Sequence, residues 1–180
     1  MDGGSLKDKI AKQAPFSNKE IVKIFLPLLD ALAHIHKNSV LHRDIRSSAV
    51  LIDNTNTPFL KDVGLMFIID LMFYEPGSVQ GTPAYMSPEQ ARGEKIDHRS
   101  DLYSIGVLLF ECLTGKRPFT ADTTFGLLMQ HINEQPVSPR SLNPRASTQL
   151  EKVIMRLLAK DPRDRYQSAQ DVKEALAKIR

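Results

Sequence analysis

Two carboxylates, two guanidinium groups and a glycine, in a set order, are the part of this chain that could do chemistry. They lie in His42-Arg43-Asp44-Ile45-Arg46-Ser47-Ser48-Ala49-Val50-Leu51 and in Asp62-Val63-Gly64. A carboxylate can take a proton from a hydroxyl and can ligate magnesium through its oxygens. A guanidinium can pair with phosphate. Placing a hydroxyl, neutralising phosphate charge and holding a metal are what phosphoryl transfer asks of a protein. The His-Arg-Asp triplet by itself is common in solvated loops. Its weight here comes from order: a long amphipathic helix, the triplet, a pair of short apolar strands, then the second acidic turn.

The elements that must position these residues read as α+β, mainly α-helical. Ile21, Ile24, Phe25, Leu28, Leu29, Leu32 and Ile35 recur at helical spacing and predict a helix over about 18–37. Ser17 and Glu20 form a capping box at its start, and Pro27 predicts a kink within it. Val50-Leu51-Ile52 and Phe59-Leu60 read as short strands joined by a connector rich in turn formers. The apolar run 65–74 predicts a short helix, or a cover for a partner surface. Residues 97–111 are apolar on several faces, as in a helix buried all round. Further helices are expected over 124–132 with Phe125, Leu128, Met129 and Ile132 inward, after a capping box of Thr148 and Glu151, and from Ser168 onward. Residues 135–145 should be irregular.

At 180 residues, the chain can build one domain with a real core. A net charge of +3 without a Lys/Arg block gives no support to nucleic-acid binding. No apolar run reaches the roughly 18 residues of a membrane span, and the start has no signal-peptide pattern. The single cysteine, Cys112, lies in an apolar run and reads as a small buried hydrophobe in a reducing compartment.

Two downstream stretches, Gly81-Thr82-Pro83-Ala84-Tyr85-Met86-Ser87-Pro88-Glu89 and Asp161-Pro162-Arg163-Asp164-Arg165-Tyr166, complete a pattern. With the two acidic loops, the chain resembles the large C-terminal lobe of serine/threonine protein kinases, above all the bacterial receptor-type group. The resemblance covers essentially all 180 residues. It implies one partial kinase-like domain over 1–180, with a hinge remnant at about 1–6, then the large lobe, and with the N-terminal lobe missing. It implies ATP and magnesium as cofactors and a protein substrate or protein partner, possibly including the missing lobe. It gives Asp44 the role of catalytic base, Arg46 that of the cation on the transferred phosphate, and Thr82 that of a partner to Asp44. Leu51 would lie under the adenine ring and Asp62 would hold magnesium, with Gly64 as the flexible position beside it. His42, Arg43 and Asp101 would support the loop, and Glu89 would pair with Arg165. Ser78 is a possible phosphosite, which Arg43 could meet. The implied location is cytoplasmic, or the cytoplasmic part of a longer membrane-anchored protein.

Three departures bear on activity. Arg46 stands where the family usually has lysine, Val63 where it has phenylalanine, and Ala49 where an asparagine would ligate magnesium. Three readings follow: a serine/threonine kinase with its upstream half outside this chain; a pseudokinase or truncated lobe acting as a protein-binding module; or a decayed gene product. The expectation is that this chain alone is inactive or very weak.

Overall fold

The computed structural model describes residues 4–73 and 80–179. Ser5 caps α1 (Leu6–Gln13), its hydroxyl accepting from the Asp8 amide while the Asp8 carboxylate accepts in return. Ser17 and Glu20 do the same for α2 (Asn18–Lys37), which runs on through Pro27 without a break. The stripe read from the sequence is the buried one: Ile21, Ile24, Phe25, Leu28, Leu29 and Leu32 all lie in the core. After the 42–46 loop and a 3-10 turn (Ser47–Ala49), β1 (Val50–Ile52) pairs antiparallel with β2 (Pro58–Leu60), with Leu51 opposite Phe59. These two strands are the whole sheet among the described residues. The apolar run forms α3 (Leu65–Phe73).

The rest is helical: α4 (Pro88–Ala91), α5 (His98–Thr114), α6 (Thr124–Asn133), α7 (Pro139–Leu142), α8 (Thr148–Leu157) and α9 (Ala169–Ala177). The centre of the core is α5, buried on every face from Ser100 to Phe110. It packs on α8, while α2 packs on α9. The α5–α8 approach is close because position 106 is glycine: a β-carbon there would sit 2.7 Å from that of Leu157. Gly115 ends α5 in the left-handed conformation, at φ 72°, which glycine adopts without a steric cost. Cys112 is buried, and burial pushes its thiol well above the ordinary value.

Three sequence expectations need correcting. The cap of α8 is Ser147, not Thr148: its hydroxyl accepts from the Leu150 amide, and Glu151 instead accepts from the Ser138 hydroxyl. The 135–145 connector contains one helical turn, α7. The inward face of α6 is not the one with Phe125 and Met129, which are 74% and 39% exposed. It is the face of His131, whose ring packs edge-on against Phe119 and Tyr103 and accepts the Tyr103 hydroxyl at 2.9 Å. Burial, reinforced by the nearby Lys160 charge, lowers His131 to about 3, so it packs as a neutral ring.

Candidate active site

The loop that carries Asp44 is held from beneath by α5. Asp101, in the first turn of α5 and 1% exposed, accepts the His42 amide at 3.0 Å and the Arg43 amide at 2.8 Å. Its Oδ2 also meets His36 Nε2 of α2 at 2.8 Å. A buried carboxylate is tolerable only when bonded in this way. The bracing is needed because Arg43 sits at φ 66°, a left-handed conformation costly for a residue with a β-carbon. The Asp44 amide donates to His42 Nδ1 at 3.3 Å, so the ring proton is on Nε2, which donates to the Lys61 carbonyl at 2.9 Å. His42 thereby ties the two acidic loops together.

Asp44 is gripped on both oxygens. Oδ1 accepts the Thr82 backbone amide at 3.0 Å, and Oδ2 accepts Arg46 Nε at 2.8 Å. Thr82 thus meets Asp44 through its main chain. Arg46 is turned onto Asp44 and the Ser48 hydroxyl. The approach of the 81–82 segment depends on Gly81, at φ 117°, where a β-carbon would lie 3.2 Å from the Arg43 carbonyl. Gln90 Nε2 donates to that same carbonyl at 2.9 Å.

Tyr85 extends the tie. Its hydroxyl donates to Glu111 Oε2 at 2.5 Å and contacts Ser47 Oγ at 2.9 Å, joining the 3-10 turn (Pro83–Tyr85) to the Asp44 loop and to α5. Burial, then the Glu111 charge, pushes its phenol up. Below this, Glu89 and Arg165 make a two-pronged buried pair at 2.7 and 2.9 Å. Burial alone raises the Glu89 carboxyl. The Arg165 bonds and charge, with the Ser100 hydroxyl at 2.6 Å, outweigh this and leave it below the usual range.

Asp62 sits at φ 65° and Gly64 at φ 78°. Lys61 Nζ lies 3.2 Å from Asp62 Oδ2, and the Lys61 amide donates to the Ala49 carbonyl at 3.0 Å. Leu51 alternates with buried Val50 and Ile52, so its half-exposed side chain faces away from theirs. An apolar surface of this kind suits one face of an adenine ring. The same cannot be said for magnesium, which asks for octahedral oxygen ligands. Asp62 carries an ammonium on one oxygen, and Ala49 is fully buried and has no ligand atom. These residues do not fit a protein-held magnesium ion. Ser78 lies outside the described residues.

Sequence reasoning missed Lys61, Glu111, Ser47 and Gln90. Lys61 was visible as the neighbour of Asp62. The other three are joined to the site across long sequence separations that spacing does not reveal.

The sequence pattern described as "Protein kinase domain" matches residues 1–176. The chain is 35% identical to the serine/threonine-protein kinase PknB of Mycobacterium tuberculosis over 182 aligned residues, which take in 99% of this chain and 29% of that protein. It is 38% identical to the serine/threonine-protein kinase pkn3 of Myxococcus xanthus, over 98% of this chain and 34% of that protein. A PknB from Mycobacterium leprae is 34% identical over 99% of this chain and 29% of its own length. The chain therefore spans about a third of the length of these relatives. Its described residues form a mainly helical lobe with one two-stranded sheet. The chain belongs to the protein kinase domain family, in its serine/threonine branch.

Proposed function

We propose that this lobe carries the hydroxyl-placing side of ATP-dependent phosphorylation of protein Ser/Thr residues, with Asp44 as the base, and that the chain by itself transfers phosphate very slowly. The observation that carries this is the grip on Asp44: an amide and a guanidinium on its two oxygens, on a strained loop braced by Asp101. A carboxylate has about four lone-pair sites, so sites remain for a substrate hydroxyl beside these two bonds. The slow rate follows from the phosphate side. Ala49 supplies no ligand, and Arg46 is committed to Asp44.

The test is a fusion of this lobe to the small lobe of a relative, assayed for labelled phosphate on a Ser/Thr peptide library. Asp44→Asn should lower kcat by about 10²–10⁴-fold in the fusion. An unchanged kcat would remove Asp44 from the role.

A second reading, a protein-binding module, is favoured by α3, where Leu65, Ile68 and Met72 are exposed. If α3 docks an apolar partner, Ile68→Glu should weaken capture of that partner and leave the denaturant midpoint in place. Capture that ignores this change counts against the reading.

A further inference from the structure

We infer that Lys61 supplies, at Asp62, the positive charge that a divalent cation would otherwise bring, so that this lobe takes a nucleoside triphosphate without metal. The inference rests on the proposal above that this lobe serves ATP-dependent phosphorylation and so binds nucleotide beside Leu51 and Asp62.

Ala49 and Lys61 face each other across the start of the two-stranded sheet. Ala49 is fully buried and offers only a methyl group. The residue whose amide donates to the Ala49 carbonyl, at 3.0 Å, is Lys61. The position that lacks a ligand atom is therefore paired, main chain to main chain, with the position that adds an ammonium. The carbonyl of Lys61 is held as well, by His42 Nε2 at 2.9 Å. With both backbone groups tied, the origin of the lysine side chain is fixed beside Asp62, and Nζ lies 3.2 Å from Oδ2.

The chemistry of the group fits a polyanion. An ammonium is a compact charge with three donors and binds phosphate as a point charge. One donor faces Asp62, which leaves two for phosphate oxygens. The Lys61 side chain is 41% exposed and that of Asp62 33%, so the charge is within reach of a ligand. The nearby guanidinium of Arg46 is turned to Asp44 at 2.8 Å, whereas the Lys61 ammonium is turned to Asp62 at the second acidic loop. A dication approaching Asp62 would meet this ammonium and find no second protein ligand at Ala49.

The plainer account is a surface ion pair between neighbours, which contributes little to stability. That account and ours both expect Lys61→Met to fold with an unchanged thermal midpoint, so binding separates them. The full chain is titrated with an ATP analogue fluorescent at the ribose, once with chelator and once with saturating magnesium chloride. We expect the two affinities to agree within about twofold, and Lys61→Met to lose about tenfold or more in chelator, the size of a charged hydrogen bond. Adding Ala49→Asn to Lys61→Met should restore affinity in magnesium alone. A wild-type affinity that rises about tenfold with magnesium, or a Lys61→Met chain that binds as tightly as wild type, overturns the inference and leaves the nucleotide reading standing. Absence of binding by the wild-type chain in both buffers overturns the nucleotide reading, and the inference with it.

Discussion

Arg165→Ala lowers the stability of this lobe by about 3–5 kcal/mol, the usual result of stripping one partner from a buried ion pair. Arg165 is fully buried, and each of its N–H groups has an acceptor. Nε donates to the Ala159 carbonyl at 2.8 Å, Nη1 to Glu89 Oε1 at 2.7 Å and the Arg99 carbonyl at 3.0 Å, and Nη2 to Glu89 Oε2 at 2.9 Å and the Lys160 carbonyl at 3.1 Å. The guanidinium also lies over the Tyr103 ring, 4.9 Å from its centre. Alanine would leave a cavity, three carbonyls short of a donor, and Glu89 buried at 5% exposure without its counter-charge, though still bonded to the Ser100 hydroxyl. Lysine would not rescue it, because an ammonium cannot reproduce the planar fork.

The same pair sets a pH dependence. The Glu89 carboxyl lies below its ordinary value of 4.5, so its contribution is present above that pH and is lost as pH falls through the lower folded value. In Arg165→Ala the bonds and charge that most hold the Glu89 carboxyl down are lost, so burial raises it relative to wild type. The stability gap between the two proteins should therefore narrow as the medium becomes acidic. Urea unfolding at neutral and acid pH measures both effects. A midpoint equal to that of wild type contradicts the first, and a gap that widens in acid contradicts the second.

Asp101→Ala is expected to cost about 3 kcal/mol, because two loop amides lose a charged acceptor and a buried donor left without a partner costs roughly 1–3 kcal/mol. The effect should be local as well as global. Without Asp101 the Arg43 amide loses the acceptor that helps hold it at φ 66°, and the loop can relax toward ordinary backbone conformations. Hydrogen exchange at the His42 and Arg43 amides should accelerate in the variant far more than at the α5 amides after the first turn. Asp101→Asn, which keeps one acceptor oxygen, should fall between the two. Unchanged exchange at the two loop amides would show that the loop is held by something else.

The helices were legible where an apolar stripe met a clear cap. For α2, Ser17, Glu20 and the stripe from Ile21 to Leu32 gave both its start and its buried face. At α8 two capping residues, Ser147 and Thr148, stand side by side with nearly equal preference; Ser147 takes the cap, and Glu151 is turned to Ser138. On α6, hydrophobicity favoured Phe125 and Met129, but spacing does not say on which side the rest of the protein lies. Phe119 and Tyr103 make a slot for a flat ring, and His131 fills it. The Asp44 loop could be read as a motif, while its geometry could not. That the Thr82 contact runs through the backbone, that Arg46 turns onto Asp44 and that Lys61 meets Asp62 are outcomes of main-chain positions set by partners elsewhere in the chain. Tyr85, Ser47 and Glu111 come from three separate elements, so no local pattern announces their bond network.

The most direct test of the account is transfer of labelled phosphate from ATP to a Ser/Thr peptide library by this chain, with Asp44→Asn run beside it under identical conditions. The account predicts incorporation at background for both, because the hydroxyl-placing side is built and the phosphate side lacks the Ala49 ligand. Incorporation well above background that Asp44→Asn abolishes would contradict it, and would make this lobe a working kinase on its own.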